Sequence, residues 1–221
     1  MYYSIMALII DKTYIFYHIP KTGGNSFRHF LATNTTLSLK EIGHKHATPD
    51  YLSGLLNANT LKKLFPDPIK KLAPIVIIRN PIDWYLSWYN YNKSRSIVRW
   101  GERRIVRDWH PLASLNSLDY KTFQGFLDQM LDKHQGFVSN LYRRYLSESR
   151  VHVVRLEDIA NGAMAEMDRL GLKHEQFSTF DFPKIRPSER IQDSISEHYK
   201  AEIQKSEEEA LIKFGYLERC N

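Results

Sequence analysis

Apolar positions along this chain follow two rhythms. Unbroken runs of branched and aromatic residues, at Tyr14 to His18, Ile75 to Ile78 and Val151 to Arg155, have the length and composition of buried strands. Between them the apolar spacing widens to three and four. Phe27, Phe30 and Leu31 then share one helical face, as do Leu52, Leu55 and Leu56, and later Phe123, Phe126, Leu127, Met130 and Leu131. Helix-start signals stand in front of several of these stripes: Thr48-Pro49, Asn80-Pro81, and a capping box from Ser194 to Glu197 that opens the last helix. The first apolar run, Ile5 to Ile10, stops at the charged pair Asp11-Lys12 and reads as an edge strand turning into Thr13 to His18. This alternation predicts an α/β fold, a three-layer sandwich with a central parallel β-sheet flanked by helices. No repeat, low-complexity tract or Pro/Gly linker interrupts residues 1–221, so a single domain is expected.

Composition narrows the function classes. A chain of 221 residues with 43% hydrophobic content can bury a full core, which excludes a disordered or fibrous protein. Its net charge of +6 favours anionic partners without choosing among phosphates, sulfates, acidic polymers and nucleic acid. The single cysteine, Cys220, rules out a disulfide framework and a cysteine-based zinc site. Ile5 to Ile10 is too short to span a membrane and has no basic residue before it. With no other segment apolar enough to cross a bilayer, a soluble, cytoplasmic protein with no transmembrane segment is expected.

In open α/β sheets ligands bind beyond the carboxyl ends of the strands, so the residues following each strand carry the chemistry. After the first come His18-Ile19-Pro20-Lys21-Thr22-Gly23-Gly24-Asn25-Ser26. Glycines let the backbone pass close to an anion, and the next helix offers unpaired N–H groups and a partial positive charge. Lys21 adds a full charge, and the Thr22 and Ser26 hydroxyls can donate. The same residues also fit a plain strand–turn–helix with a solvated lysine. Lys21 precedes the glycines, whereas the lysine of the common triphosphate loop follows them. After the second strand, "RNPIDWYLSWY" places Arg79 at the strand end and Ser87 two turns into a helix, where both could converge on a second anion. A salt bridge from Arg79 to Asp83 is the competing reading.

Together the two stretches resemble the sulfotransferases that use 3′-phosphoadenosine 5′-phosphosulfate, especially the carbohydrate and bacterial types. "HIPKTGGNS" is similar to that family's loop for the 5′-phosphosulfate, usually close to Pro-Lys-Thr-Gly-Gly-Thr-Ser, which carries the cofactor-binding role to Pro20, Lys21, Thr22, Gly23, Gly24, Asn25 and Ser26. "IIRNPIDWYLSWY" resembles its 3′-phosphate motif, in which the serine stands eight positions after the arginine, as Ser87 does after Arg79. "VVRLEDI" resembles a later strand-turn that is normally structural, and "KFGY" the usual C-terminal finish. "PKIRPSER" resembles the late nucleotide-contacting segment and implies that Lys184, Arg186 and Ser188 touch the 3′-phosphate or adenine. Two departures stand out: Asn25 replaces the usual threonine, and Trp84 stands where an arginine usually follows the aspartate. The resemblance implies a fold like that of P-loop nucleotide kinases, the phosphosulfate donor as cosubstrate and no metal.

Sulfuryl transfer also needs a base for the acceptor's proton and a cation near the breaking bond. Lys21 suits the cation, and "GHKHATPDY" offers His44 and His46, whose imidazoles titrate near neutrality. Lys-His-Ala-Thr resembles the catalytic-histidine segment of bacterial and uronyl-type enzymes, which selects His46. His44 stands behind it, and Glu41 is a third candidate because some relatives use a glutamate in a comparable region. His18, at the strand end, is expected to pack or to position the loop. His44 and His46 lie two apart with no third ligand evident, so a metal site is not expected. The segment Lys93 to His110 sets six Lys or Arg and two tryptophans against Glu102 and Asp108. It fits a solvated helix first, then an acceptor-side flap, and only then single-stranded nucleic acid. The expected partner is a small-molecule or carbohydrate acceptor, with no nucleic acid. A non-catalytic nucleotide- or sulfate-binding module and a nucleotide kinase-like enzyme remain as alternatives; against the second stands the absence of a Gly-x-x-x-x-Gly-Lys-Ser/Thr loop.

Overall fold

The computed structural model describes residues 7–57, 71–93, 110–147, 150–172 and 195–218. By its internal contacts the chain divides into two compact units, one of Met1–Ile78 with Arg144–Ile185 and one of Arg79–Arg143 with Arg186–Asn221.

The first unit holds the sheet. Its strands are β1 (Ala7–Ile10), β2 (Tyr14–Tyr17), β3 (Leu39–Ile42), β4 (Ala73–Ile78) and β5 (His152–Arg155), in the order β3-β1-β2-β4-β5. The expected parallel pairing is present where β4 lies between β2 and β5, with Phe16 opposite Ile75 and Val76 opposite Val153. Ile75 to Ile78 are fully buried, which explains an unbroken apolar run rather than an alternating one. The other half of the sheet is antiparallel. Asp11 and Lys12 both take positive φ, 49° and 56°, and Thr13 N–H donates to Ile10 C=O at 3.0 Å, closing a tight β1–β2 hairpin.

The expectation that β1 forms an edge is corrected: β3 pairs with it antiparallel and takes that place. β3 reads Leu-Lys-Glu-Ile, with its two central side chains exposed. Such charges suit an edge strand but hide it from a search for apolar runs. Two helices of this unit, α1 (Gly24–Asn34) and α6 (Leu156–Arg169), bring Phe27, Phe30, Leu31, Ile159 and Met167 onto a core with Leu8, Phe16, Ile75 and Val154. In α2 (Pro49–Asn57) the expected cap forms, Tyr51 N–H donating to Thr48 Oγ1 at 3.3 Å. Leu52 is buried, while the side chains of Leu55 and Leu56 lie outside the described residues.

The second unit is helical: α3 (Pro81–Lys93), a 3-10 turn at Ala113–Ser117, α4 (Phe123–Lys133), α5 (Phe137–Arg143), α7 (Glu197–Ser206) and α8 (Glu208–Lys213). Asn80 caps α3 as expected, its Oδ1 accepting from Ile82 N–H at 3.0 Å. Helix α3 is buried on most of its circumference, the mark of a central helix. Trp84 stacks on Trp88 at 6.0 Å and meets Phe137 at 5.6 Å, while Tyr89 packs on Phe123 at 4.9 Å. In α4 the predicted stripe holds for Phe123, Phe126, Leu127 and Met130, with Leu131 half-buried. The capping box is displaced from its expected position. Ser196, not Ser194, caps α7, its Oγ accepting from Tyr199 N–H at 3.4 Å, and Ser194 lies outside the described residues.

Glu207, at the junction of α7 and α8, is wholly buried. One carboxylate oxygen accepts from Tyr85 Oη at 2.6 Å and Val138 N–H at 2.9 Å, the other from Ser139 N–H at 2.8 Å and Ser139 Oγ at 2.7 Å. Four donors make burial of this carboxylate tolerable. Burial, followed by the charge of Glu207, pushes the Tyr85 hydroxyl well above its ordinary pKa, so it stays a donor.

Candidate functional site

The loop between β2 and α1 is built from backbone. Pro20 is buried, Lys21 sits at φ 68° and Gly23 at φ 84°. A lysine in the left-handed region costs about 1 kcal/mol, so its neighbours must hold it there. One of them does so visibly: the wholly buried Thr22 donates its hydroxyl to Ile19 C=O at 3.0 Å. A hydroxyl has one proton, and in this structure the Thr22 proton is held inside the loop.

The glycines are demanded by their surroundings. A Cβ on Gly24 would lie 2.4 Å from His18 Cδ2, and one on Gly23 would lie 2.3 Å from Leu156 Cδ1. Leu156 belongs to "VVRLEDI", where β5 passes directly into α6, so that stretch serves as packing over the loop. Ser26 N–H turns back to Gly23 C=O at 2.9 Å, and its side chain is buried. The N–H groups of Gly24 and Asn25 have no acceptor among the described residues, as expected of the first turn of a helix, and the Asn25 side chain is exposed. An anion here would meet unpaired N–H groups and the positive end of α1.

Beside the loop the structure pairs two histidines. His46 Nδ1 lies 2.8 Å from the carbonyl oxygen of His18, and the two rings meet edge to face at 4.8 Å. A carbonyl only accepts, so Nδ1 carries the proton and the lone pair of the neutral ring sits on Nε2. Tyr145 holds the other side of His46, its hydroxyl donating to His46 C=O at 2.8 Å. His18 is buried and stacks on Phe16 at 5.9 Å. Burial, reinforced by the charge His46 carries when it is protonated and by the positive charges of Lys45, Arg28 and Lys21, holds its pKa well below the ordinary value. It is therefore a neutral spacer between the glycines and His46, in keeping with its expected packing role.

The other base candidates are occupied differently. Half-buried His44 faces Tyr51, with ring centroids 5.8 Å apart. Glu41, on β3, is ion-paired with Arg28. Among the described residues no group of three or more His, Cys, Asp or Glu is arranged to hold a metal ion, and no helix is long and apolar enough to cross a membrane.

In the second unit Arg79 is half-buried at the start of the segment that leads into α3, and Ser87 is buried within α3. Tyr142 of α5, which sequence reasoning missed, grips the Arg79 backbone twice: its Oη accepts from Arg79 N–H at 3.1 Å and donates to Arg79 C=O at 2.6 Å. Trp84, the departure from the family pattern, is wholly buried in aromatic packing and replaces the usual arginine with core. "KFGY" ends α8, with Tyr216 N–H returning to Leu211 C=O at 2.8 Å, and Phe214 lies edge-on to Tyr142 at 5.9 Å. Lys184, Arg186 and Ser188 lie outside the described residues, as does most of the basic segment after Lys93.

A mixed sheet with parallel pairs, flanked by helices and running from a strand through a glycine turn into a helix, defines an α/β protein. The model of the sulfotransferase family matches residues 7–217, and the chain belongs to that family. The match places it among transferases of the sulfuryl group. No curated protein matches the chain.

Proposed function

We propose that this protein transfers a sulfuryl group from 3′-phosphoadenosine 5′-phosphosulfate to a hydroxyl or amine of a small-molecule or carbohydrate acceptor, with His46 as general base. The observation that carries the reading is the His46 Nδ1 contact with the His18 carbonyl, which leaves Nε2 as the proton acceptor beside the glycine loop. The donor, when bound, supplies an activated sulfur joined to a good leaving phosphate. Its fit is supported by the N–H groups of Gly24 and Asn25 at the α1 terminus and by the positive field around His18.

In this reading Lys21 and the backbone from Pro20 to Ser26 hold the 5′-phosphosulfate. Lys21 neutralises charge as it develops on the leaving oxygen. Arg79 and Ser87 bind the 3′-phosphate, with Lys184, Arg186 and Ser188 contributing from the later segment. The acceptor oxygen or nitrogen bonds to sulfur as the bond from sulfur to the phosphate oxygen breaks, and the acceptor's proton passes to His46 Nε2.

His46→Ala is expected to keep affinity for adenosine 3′,5′-bisphosphate while transfer falls by about 10²- to 10⁴-fold. Calorimetric binding and turnover with labelled donor check both arms, and unchanged turnover would remove His46 from the role. A thermal-shift panel with the bisphosphate, ADP, ATP and NADPH tests the donor, since selective stabilisation by the first is expected.

A further inference from the structure

We propose that Tyr142 is a positioning residue that aims Arg79 at the 3′-phosphate of the nucleotide, an inference that rests on the reading of Arg79 above. A single hydroxyl here both accepts from and donates to the backbone of one residue, at 3.1 and 2.6 Å. The two bonds fix the peptide planes on either side of the Arg79 Cα, and so the direction in which its side chain leaves the backbone. They do so without engaging the guanidinium, which keeps its forked donors for a ligand.

Tyr142 is itself immobilised. It is buried, Phe214 of "KFGY" meets its ring edge-on, and it stands on α5 one turn after Val138 and Ser139. The N–H groups of those two residues are held by the buried Glu207 carboxylate, whose Oε1 also accepts from Tyr85 on α3, the helix that carries Ser87. One carboxylate therefore fastens both the helix bearing the clamp and the helix bearing the second phosphate ligand. A backbone free to turn at the strand end would swing the base of the arginine side chain, and fixing its direction spares binding energy when the anion arrives.

The test compares affinity for adenosine 3′,5′-bisphosphate with affinity for ADP, which lacks the 3′-phosphate, by calorimetry on the full chain. Tyr142→Phe keeps the ring and its packing on Phe214 but removes both bonds. It is expected to cut the preference for the 3′-phosphorylated nucleotide by about 10- to 100-fold while leaving ADP affinity and the pH profile of transfer unchanged. Phe214→Leu, which only loosens the ring, is expected to shift the preference in the same direction by less, and serves if Tyr142→Phe does not fold. Arg79→Ala is expected to abolish the preference, and adding Tyr142→Phe to it should then change nothing further. If Arg79→Ala keeps the preference, the underlying assignment of the 3′-phosphate site fails. If Arg79→Ala loses it while Tyr142→Phe and Phe214→Leu retain it, the positioning role of Tyr142 is overturned.

Discussion

The two units prepare their candidate residues by opposite means. Around the glycine loop of the first, backbone does the shaping: a lysine held at positive φ, glycines where a Cβ has no room, and a helix terminus with unpaired N–H groups. Its buried histidine stays neutral amid positive charge. In the second, side chains reach across the chain to fasten backbone, with Tyr142 on Arg79 and Glu207 on Val138 and Ser139. Its buried carboxylate is satisfied by neutral donors. Local strain and long-range fastening are two routes to pre-organisation, and they fail under different substitutions.

The largest break is expected at Glu207. Glu207→Gln replaces one oxygen, which accepts two bonds, with an NH₂ that accepts none, leaving buried donors facing a donor. A loss of about 3 kcal/mol of unfolding free energy is expected, measured by urea titration. A change within experimental error would show that the second unit does not depend on this carboxylate. A smaller effect, about 2 kcal/mol from overpacking, is expected for Gly24→Ala, because the added methyl meets the His18 ring at 2.4 Å. If Gly24→Ala cost more than Glu207→Gln in the same titration, the backbone-shaped region would be the less tolerant of the two.

The smallest effect separates the units by pH. Folded His18 refuses a proton that the unfolded chain takes up near its ordinary pKa, so stability falls as pH drops below about 6.5. The contribution of His18 is at most about 1.4 kcal/mol per pH unit. His134, lowered chiefly by partial burial, adds in the same direction from the second unit. His18→Gln should flatten the acid slope, and His134→Gln should flatten it less. Equal flattening by the two variants in unfolding titrations from pH 7 to pH 5 would erase the distinction.

Which features were legible follows from the range of the forces behind them. The parallel strands, the caps at Thr48 and Asn80, the stripe in α4 and the glycine loop all arise from residues within a few positions of one another. β3 is illegible in sequence because an edge strand with two exposed charges carries no apolar run, and the cap of α7 falls two residues beyond the expected Ser194 because Ser194 and Ser196 offer the same chemistry. The spacing of Arg79 and Ser87 was readable, yet nothing near Tyr142 signals that its hydroxyl would close on a residue 63 positions earlier.

The sequence by itself determined the α/β class, the sulfotransferase family and the residues that could take part in the chemistry, because motif spacing and apolar period are local quantities. Only the tertiary structure decided that Thr22 spends its proton inside the loop, and that the His18 carbonyl selects the tautomer of His46. It also decided that Glu207 and Tyr142 are fixed in the second unit. Each of those outcomes depends on which distant donor or acceptor burial brings within 3 Å, a choice made by the packing of the whole chain.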